Sequence, residues 1–161
     1  MKKIRLTLPD GSHFECMSGV VGAEVVKKIG SRLAKDALAI KVDDERIADL
    51  MTPLDQDCRI RVLTADDADA LKVLRHSTAH IMSEAVQALF KGVKVTIGPA
   101  TDEGFYYDYE YDQGFTPDDL KKIEKKMEEI IKAKKPFQRT VVDKKAAIKK
   151  FRAMGEDYKV E

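Results

Sequence analysis

The chain has 161 residues, 43% of them hydrophobic, enough to build the core of one ordinary domain or of two small ones. Its 29 Lys+Arg against 28 Asp+Glu leave a net charge of +1, so the chain as a whole is no polycation and any nucleic-acid surface has to be local. Cys16 and Cys58 stand far apart without a Cys-x-x-Cys spacing, which argues against a disulfide framework or a zinc ribbon. No apolar run approaches the roughly 18 residues of a membrane span, and no signal-peptide hydrophobic region follows Met1-Lys2-Lys3. The expected setting is soluble, reducing and cytoplasmic.

In chain order, Ile4, Leu6 and Leu8 alternate with polar residues, Pro9-Asp10-Gly11-Ser12 turns the chain, and a second alternating run reaches Met17, which predicts a β-hairpin. Residues 18–29 predict a helix through Ala23, Val25, Val26 and Ile29, stopped by Gly30. Strands are expected over residues 38–42 and 58–63. The order ββαβ…β in 63 residues predicts an α+β, ubiquitin-like β-grasp module.

Residues 64–69 are small and acidic, suited to capping a helix and to its positive end, and mark the expected domain boundary. Leu71, Leu74, Thr78, Ile81, Ala85 and Leu89 step by three or four and predict a long amphipathic helix over 70–90. Alternation predicts strands over 93–97 and 105–111. Thr116-Pro117-Asp118-Asp119 combines an N-cap, proline at the first helical position and a capping-box acid ahead of Leu120, Ile123, Met127, Ile130 and Ile131. A strand over 137–142 and a helix over 143–154, closed by Gly155, complete the reading.

Charge is unevenly placed. Residues 64–114 carry 4 basic and 9 acidic groups, whereas residues 121–152 carry 13 Lys/Arg against Glu124, Glu128, Glu129 and Asp143. Lys121, Lys122, Lys125 and Lys126 recur opposite Leu120, Ile123 and Met127. That pattern suits an ordinary solvated helix face, and it also suits a surface that contacts RNA phosphates.

Chemistry is concentrated in His76-Ser77-Thr78-Ala79-His80. Residues four apart share one helical face, so both imidazoles can address one ligand, metal or water; two structural histidines at a domain seam would show the same spacing. Ser77 stands where a zinc protease needs glutamate, and no third ligand follows. A second feature is the glycine-bracketed loop Gly98-Pro99-Ala100-Thr101-Asp102-Glu103-Gly104 leading into Phe105-Tyr106-Tyr107-Asp108. It reads either as a tight turn before a core strand or as a pocket wall, the latter requiring Tyr106 or Asp108 to face the histidine helix.

Leu74-Arg75-His76-Ser77-Thr78-Ala79-His80, followed by Ile97-Gly98-Pro99 and Gly104-Phe105-Tyr106-Tyr107-Asp108, resembles the opening half of the editing (second additional) domain of bacterial threonyl-tRNA synthetases. Gly155-Glu156-Asp157-Tyr158-Lys159-Val160-Glu161 resembles a segment of the same domain, and residues 1–63 are similar to the TGS domain before it. Alanyl-tRNA synthetases share the histidine motif, but the Gly-Phe-Tyr-Tyr-Asp string points to the threonine family.

The resemblance implies a TGS domain over 1–63 and the N-terminal part of a tRNA editing domain over 64–161. It implies that His76 and His80 line a site hydrolysing mischarged seryl-tRNA, with Tyr106 and Asp108 as substrate-binding candidates, and that the tRNA acceptor arm is the partner. Lys121, Lys122, Lys125 and Lys126 are the candidate RNA contacts. The family's later Cys-x-x-x-His element, its aminoacylation domain and its anticodon-binding domain do not occur in the sequence. ATP with magnesium, a catalytic zinc and homodimer contacts are therefore expected outside this piece, and no metal is expected within it. Other classes fit parts of the pattern: a noncatalytic RNA- or protein-binding module with structural histidines, or a free-standing editing hydrolase.

Overall fold

In the computed structural model, which describes residues 2–135 and 139–160, the N-terminal elements are β1 (Lys3–Thr7), β2 (His13–Met17), β3 (Val20–Val21), α1 (Gly22–Ile29), α2 (Ser31–Asp36), β4 (Ala39–Val42), β5 (Arg46–Ala48), β6 (Pro53–Leu54) and β7 (Cys58–Leu63). Five strands form one sheet in the order β2-β1-β7-β4-β5. β1 and β2 pair antiparallel from Lys3↔Met17 to Thr7↔His13, as the alternation around Pro9-Asp10-Gly11 predicts. β1 and β7 lie parallel through Leu6↔Cys58 and Thr7↔Arg59, which requires the intervening chain to cross over the sheet. The crossover carries α1, whose Val25 and Val26 are fully buried among Ile4, Leu6, Ile40 and Ile60. A mixed sheet with one helix in its grasp is the β-grasp fold expected from the sequence.

Two details differ from the expectation. The helix expected over 18–29 starts only at Gly22, because Val20 and Val21, β-branched and stiff at χ1, pair with Leu54 and Pro53 instead. Gly22 allows the approach: a Cβ there would stand 2.9 Å from Ile40 Cδ1 and 3.3 Å from the Leu50 carbonyl oxygen. Gly30 interrupts the helix in extended backbone, but a second short helix, α2, follows directly. The β4–β5 connection takes Asp43 and Asp44 through positive φ, and Asp43 is held there by the Arg59 N–H, 2.7 Å from its Oδ1.

The remaining elements are α3 (Ala68–Leu89), β8 (Lys94–Val95), β9 (Tyr109–Glu110), α4 (Pro117–Lys132), α5 (Lys144–Ala153) and a 3-10 turn at Asp157–Lys159. The chain divides into two compact units between Leu74 and Arg75, inside α3. The sequence reading drew its line after residue 63. The first turns of α3 belong with the sheet because Ala70 and Val73 pack with Ala39 and Leu63. Asp69 also pairs with Lys41 at 2.7 Å, and Asp67 pairs with Arg61.

Within the second unit, Ala85 and Val86 of α3 and Ile123 of α4 form the core, flanked by Met82, Phe90, Val93, Tyr109, Met127 and Ile130. The strands expected over 93–97 and 105–111 shrink to one two-residue pair, Lys94↔Glu110 and Val95↔Tyr109. Backbone bonds of Asp108 with Thr96 and Ile97 extend it slightly, and Pro99, which has no N–H, stands where it stops. The Thr116 hydroxyl accepts from the Asp119 N–H and the Asp119 carboxylate from the Thr116 N–H, the capping box read from the sequence. Lys122, followed by Thr116, holds the Asp119 carboxyl down at about 2. Of the strand expected over 137–142, residues 137 and 138 lie outside the described ones, and 139–142 form no strand. α5 begins on Asp143, whose Oδ1 accepts from the Ala146 N–H at 2.9 Å, and ends at Gly155 with φ +72°.

Ile40, fully buried where α1 meets the sheet, is the residue on which the first unit's core turns. Ile40→Ala removes three carbons from a site with no room to collapse, and a loss of about 2–5 kcal/mol is expected in urea unfolding followed by circular dichroism. A loss below about 1 kcal/mol would show that this core is not the one described.

Candidate functional site

His76 and His80 lie one turn apart on α3, their Nε2 atoms 3.0 Å from each other and their rings edge to face with centroids 4.6 Å apart. Both are exposed, whereas Ala79 between them is fully buried, so the helical period turns the imidazoles outward together. Contact between two Nε2 atoms requires one to donate its proton and the other to accept it. The neutral pair therefore holds one Nε2–H and one lone pair on its shared edge.

The loop at residues 98–104 is tied to this end of α3. Arg75, next to His76, donates through Nη1 to the carbonyls of Thr101 (3.1 Å) and Asp102 (2.6 Å). The loop closes on itself through the Thr101 N–H to the Gly104 carbonyl and the Gly104 N–H to Thr101 Oγ1. Gly98 is required beneath the aromatic segment, because a Cβ there would lie 2.1 Å from the Tyr107 ring. Tyr107 stacks on Tyr109 with centroids 5.1 Å apart, and Tyr109 in turn meets Phe115. Burial pushes the Tyr109 phenol well above its usual range.

Tyr106 and Asp108, the two substrate-binding candidates, occupy the alternate positions and are exposed. Among the described residues neither makes a hydrogen bond or ring contact with the imidazoles. The aromatics at 107, 109 and 111 instead follow the core-strand reading of this segment.

Sequence reasoning gave no role to Lys159. Gln87, seven residues beyond His80 and on nearly the same face of α3, donates Nε2–H to Glu156 Oε1 at 2.8 Å, and Glu156 Oε2 pairs with Lys159 Nζ at 3.0 Å. Tyr158 donates to Glu110, which also pairs with Lys94 at 2.8 Å, so the 3-10 turn is fastened on both sides. Lys159 Nζ sits 5.7 Å from the Phe151 ring centroid. Burial first, then His76, then Lys159 hold the His80 imidazole below the ordinary histidine value. The available signal was the Gly-Glu-Asp-Tyr-Lys string, which bears a resemblance but no chemical spacing.

The four lysines proposed for RNA stand on α4. Lys121 pairs with Asp118 at 3.4 Å, Lys122 with Asp119 at 2.8 Å and Lys126 with Glu129 at 3.0 Å. Lys126, with Lys125 and Lys132 beyond it, holds the Glu129 carboxyl below the usual carboxylate range. No group of three His, Cys, Asp or Glu side chains that could hold a metal occurs among the described residues, and both cysteines are free thiols. No described helix is long and apolar enough to cross a membrane.

The pair makes a pH prediction with a definite sign. Because His80 is less basic folded than unfolded, the folded chain binds fewer protons just below neutrality. Stability therefore falls as pH drops through the unfolded histidine value near 6.5, and levels off below the folded value. In a proton NMR titration, the His80 Cε1–H midpoint is expected below that of free histidine and should rise in His76→Ala, which removes one contribution and leaves burial. A midpoint that stays put or falls in the variant would contradict the pairing.

Comparison with known proteins supplies the context for this geometry. Residues 4–64 match the TGS domain family. The chain is 52% identical over 156 residues to a threonine–tRNA ligase of Acidiphilium cryptum, covering 97% of the chain and 24% of that protein. It is 47% identical over 156 residues to the threonine–tRNA ligase of Acidithiobacillus ferrooxidans, covering 97% of the chain and 24% of the relative, and 47% identical over all 161 residues to that of a Geobacter species, where it covers 25%. The chain thus spans about a quarter of the length of the curated relatives it matches. It carries a ubiquitin-like TGS domain and, along nearly its whole length, is similar in sequence to part of the threonine–tRNA ligases.

Proposed function

We propose that this chain serves threonine–tRNA ligation on its proofreading side, binding the tRNA acceptor arm and supplying half of a hydrolytic site for serine wrongly esterified to the tRNA 3′ adenosine. The similarity to threonine–tRNA ligases supports a tRNA-related role. The observation that carries the finer reading is the exposed His76–His80 pair, with its single shared proton and with Lys159 held nearby. Serine lacks one methyl of threonine, a difference that a binding pocket exploits by only about 1–3 kcal/mol, so a second, hydrolytic site is the physical remedy.

The chemistry needs a proton acceptor, and the pair is one. Water attacks the ester carbonyl carbon, its proton passes to an imidazole nitrogen, and the departing adenosine hydroxyl takes up a proton from the pair. Serine and the free tRNA end leave, and the histidines return to their starting state. The Lys159 ammonium favours the neutral imidazole form that accepts the proton, and its charge suits the developing oxyanion. In this reading residues 64–161 begin an editing domain, and the setting is the cytoplasm. In the same reading, ATP, magnesium, a catalytic zinc and dimer contacts are expected of an aminoacylation domain and not of residues 1–161.

The pair is open to solvent, so residues 1–161 alone should hydrolyse seryl-tRNA poorly. The test is a chimera in which they replace the matching quarter of the Acidiphilium cryptum ligase, assayed for deacylation of seryl-tRNA bearing the threonine anticodon. The double variant His76→Ala, His80→Ala is expected to lose about 100-fold or more in deacylation while keeping aminoacylation. Unchanged deacylation in that variant would refute the assignment. Robust turnover by the isolated chain, abolished in the double variant, would instead mark a free-standing hydrolase.

A further inference from the structure

Helix α4 holds Lys121, Lys122, Lys125, Lys126 and Lys132 against Asp118, Asp119, Glu124, Glu128 and Glu129, so its five positive charges meet five negative ones. Four of the lysines are already in ion pairs within the helix. Such a helix presents little net field to a polyanion beyond the Debye length of about 8–10 Å. Helix α5 is its opposite. Between Lys144 and Ala153 it carries Lys144, Lys145, Lys149, Lys150 and Arg152 and no acid. All five are exposed and make no ion pair among the described residues.

Their spacing gives the charge a direction. Lys145, Lys149 and Arg152 follow one another at four and three residues and so form one stripe, about 10 Å long at 1.5 Å per residue. Ala147, Ile148 and Phe151 lie on another arc and are half-buried, fixing the stripe toward solvent. Phe151 also lies 5.7 Å under the ammonium of Lys159, which ties α5 to the 3-10 turn of the same unit.

We propose that the Lys145–Lys149–Arg152 stripe of α5, and not the lysine face of α4, is the surface on which this chain grips an RNA phosphate backbone. This rests on the RNA-directed reading above and locates it. The partner is RNA because the stripe belongs to the same unit as a site whose proposed substrate is the 3′ end of an RNA strand, and its uncompensated cations complement a phosphate backbone. A mere solubilising face would have no reason to concentrate uncompensated cations there and nowhere else along the two helices. The contacts are phosphate contacts, carrying affinity and position without base specificity.

The test uses the 161-residue chain and two fluorescent RNA hairpins, one with the threonine acceptor-stem sequence and one with the stem pairs scrambled, titrated by anisotropy between 50 and 200 mM KCl. The triple variant Lys145→Gln, Lys149→Gln, Arg152→Gln is expected to weaken binding of both hairpins by at least tenfold at 50 mM and to reduce the slope of log K against log salt by about 2 to 3. The quadruple variant Lys121→Gln, Lys122→Gln, Lys125→Gln, Lys126→Gln is expected to stay within about twofold of the parent. Circular dichroism of each variant shows whether the helices are kept, and the single variants Lys145→Gln and Lys149→Gln, each lowering the slope by about 1, serve if the triple variant unfolds. Equal losses from the two helices, a loss confined to α4, no RNA binding by the parent, or equally tight binding of polyglutamate would each overturn the proposal. None of these outcomes bears on hydrolysis by the chimera, which tests the editing reading separately.

Discussion

The period of α3 is the constraint from which the candidate site follows. Ala79, Ser83 and Val86 have to be buried for the second unit to have a core, and at 3.6 residues per turn this leaves His76 and His80 on the flank, exposed and facing each other. No strand or loop positions them. A one-residue shift in the burial of α3 would carry both imidazoles away from the flank together, so core packing and site geometry are the same fact. Arg75 extends this logic to the loop at 98–104, because the residue before His76 holds the carbonyls of Thr101 and Asp102.

Electrostatics divides the chain's many charges into those that organise it and those left over. Lys41 and Arg61 meet Asp69 and Asp67 where the first turns of α3 leave the sheet, partly shielded from water, while the pairs along α4 are exposed, and each of those contributes little to stability. The α4 pairs matter less for stability than for what they remove, which is the field of those lysines. The basic content of residues 121–152 therefore reads very differently helix by helix, although the sequence shows one continuous run.

Much of this was legible in the residues. The hairpin, the β-grasp order, the length of α3, the Thr116 capping box and the Asp143–Gly155 helix all depend on local patterns, namely alternation, a period near 3.6, or a cap with its partner three residues away. What was not legible depends on distant contacts. Val20 and Val21 become a strand only because Leu54 and Pro53 come alongside, and β5 and α2 are too short to announce themselves. The alternation at 105–111 predicts a full strand, but its partner runs into Pro99 and the ladder stops after two residues. At the site, the four-residue histidine spacing was visible, whereas the link from Gln87 of α3 through Glu156 to Lys159 is tertiary, with no sequence period.

The histidine pair also explains why the third cation belongs there. Two imidazoles whose Nε2 atoms share one proton resist a second, since two imidazolium rings at that distance would repel and neither could accept. Burial first, then His76, then Lys159, which pairs with Glu156 at 3.0 Å, favour the neutral form of the His80 imidazole. In the proposed chemistry the Nε2 lone pair on the shared edge is already engaged by the other ring's Nε2–H, so the lone pair left to take a proton from water is on Nδ1 of the donating ring. Bringing an RNA end to that nitrogen is the task that the proposal assigns to α5.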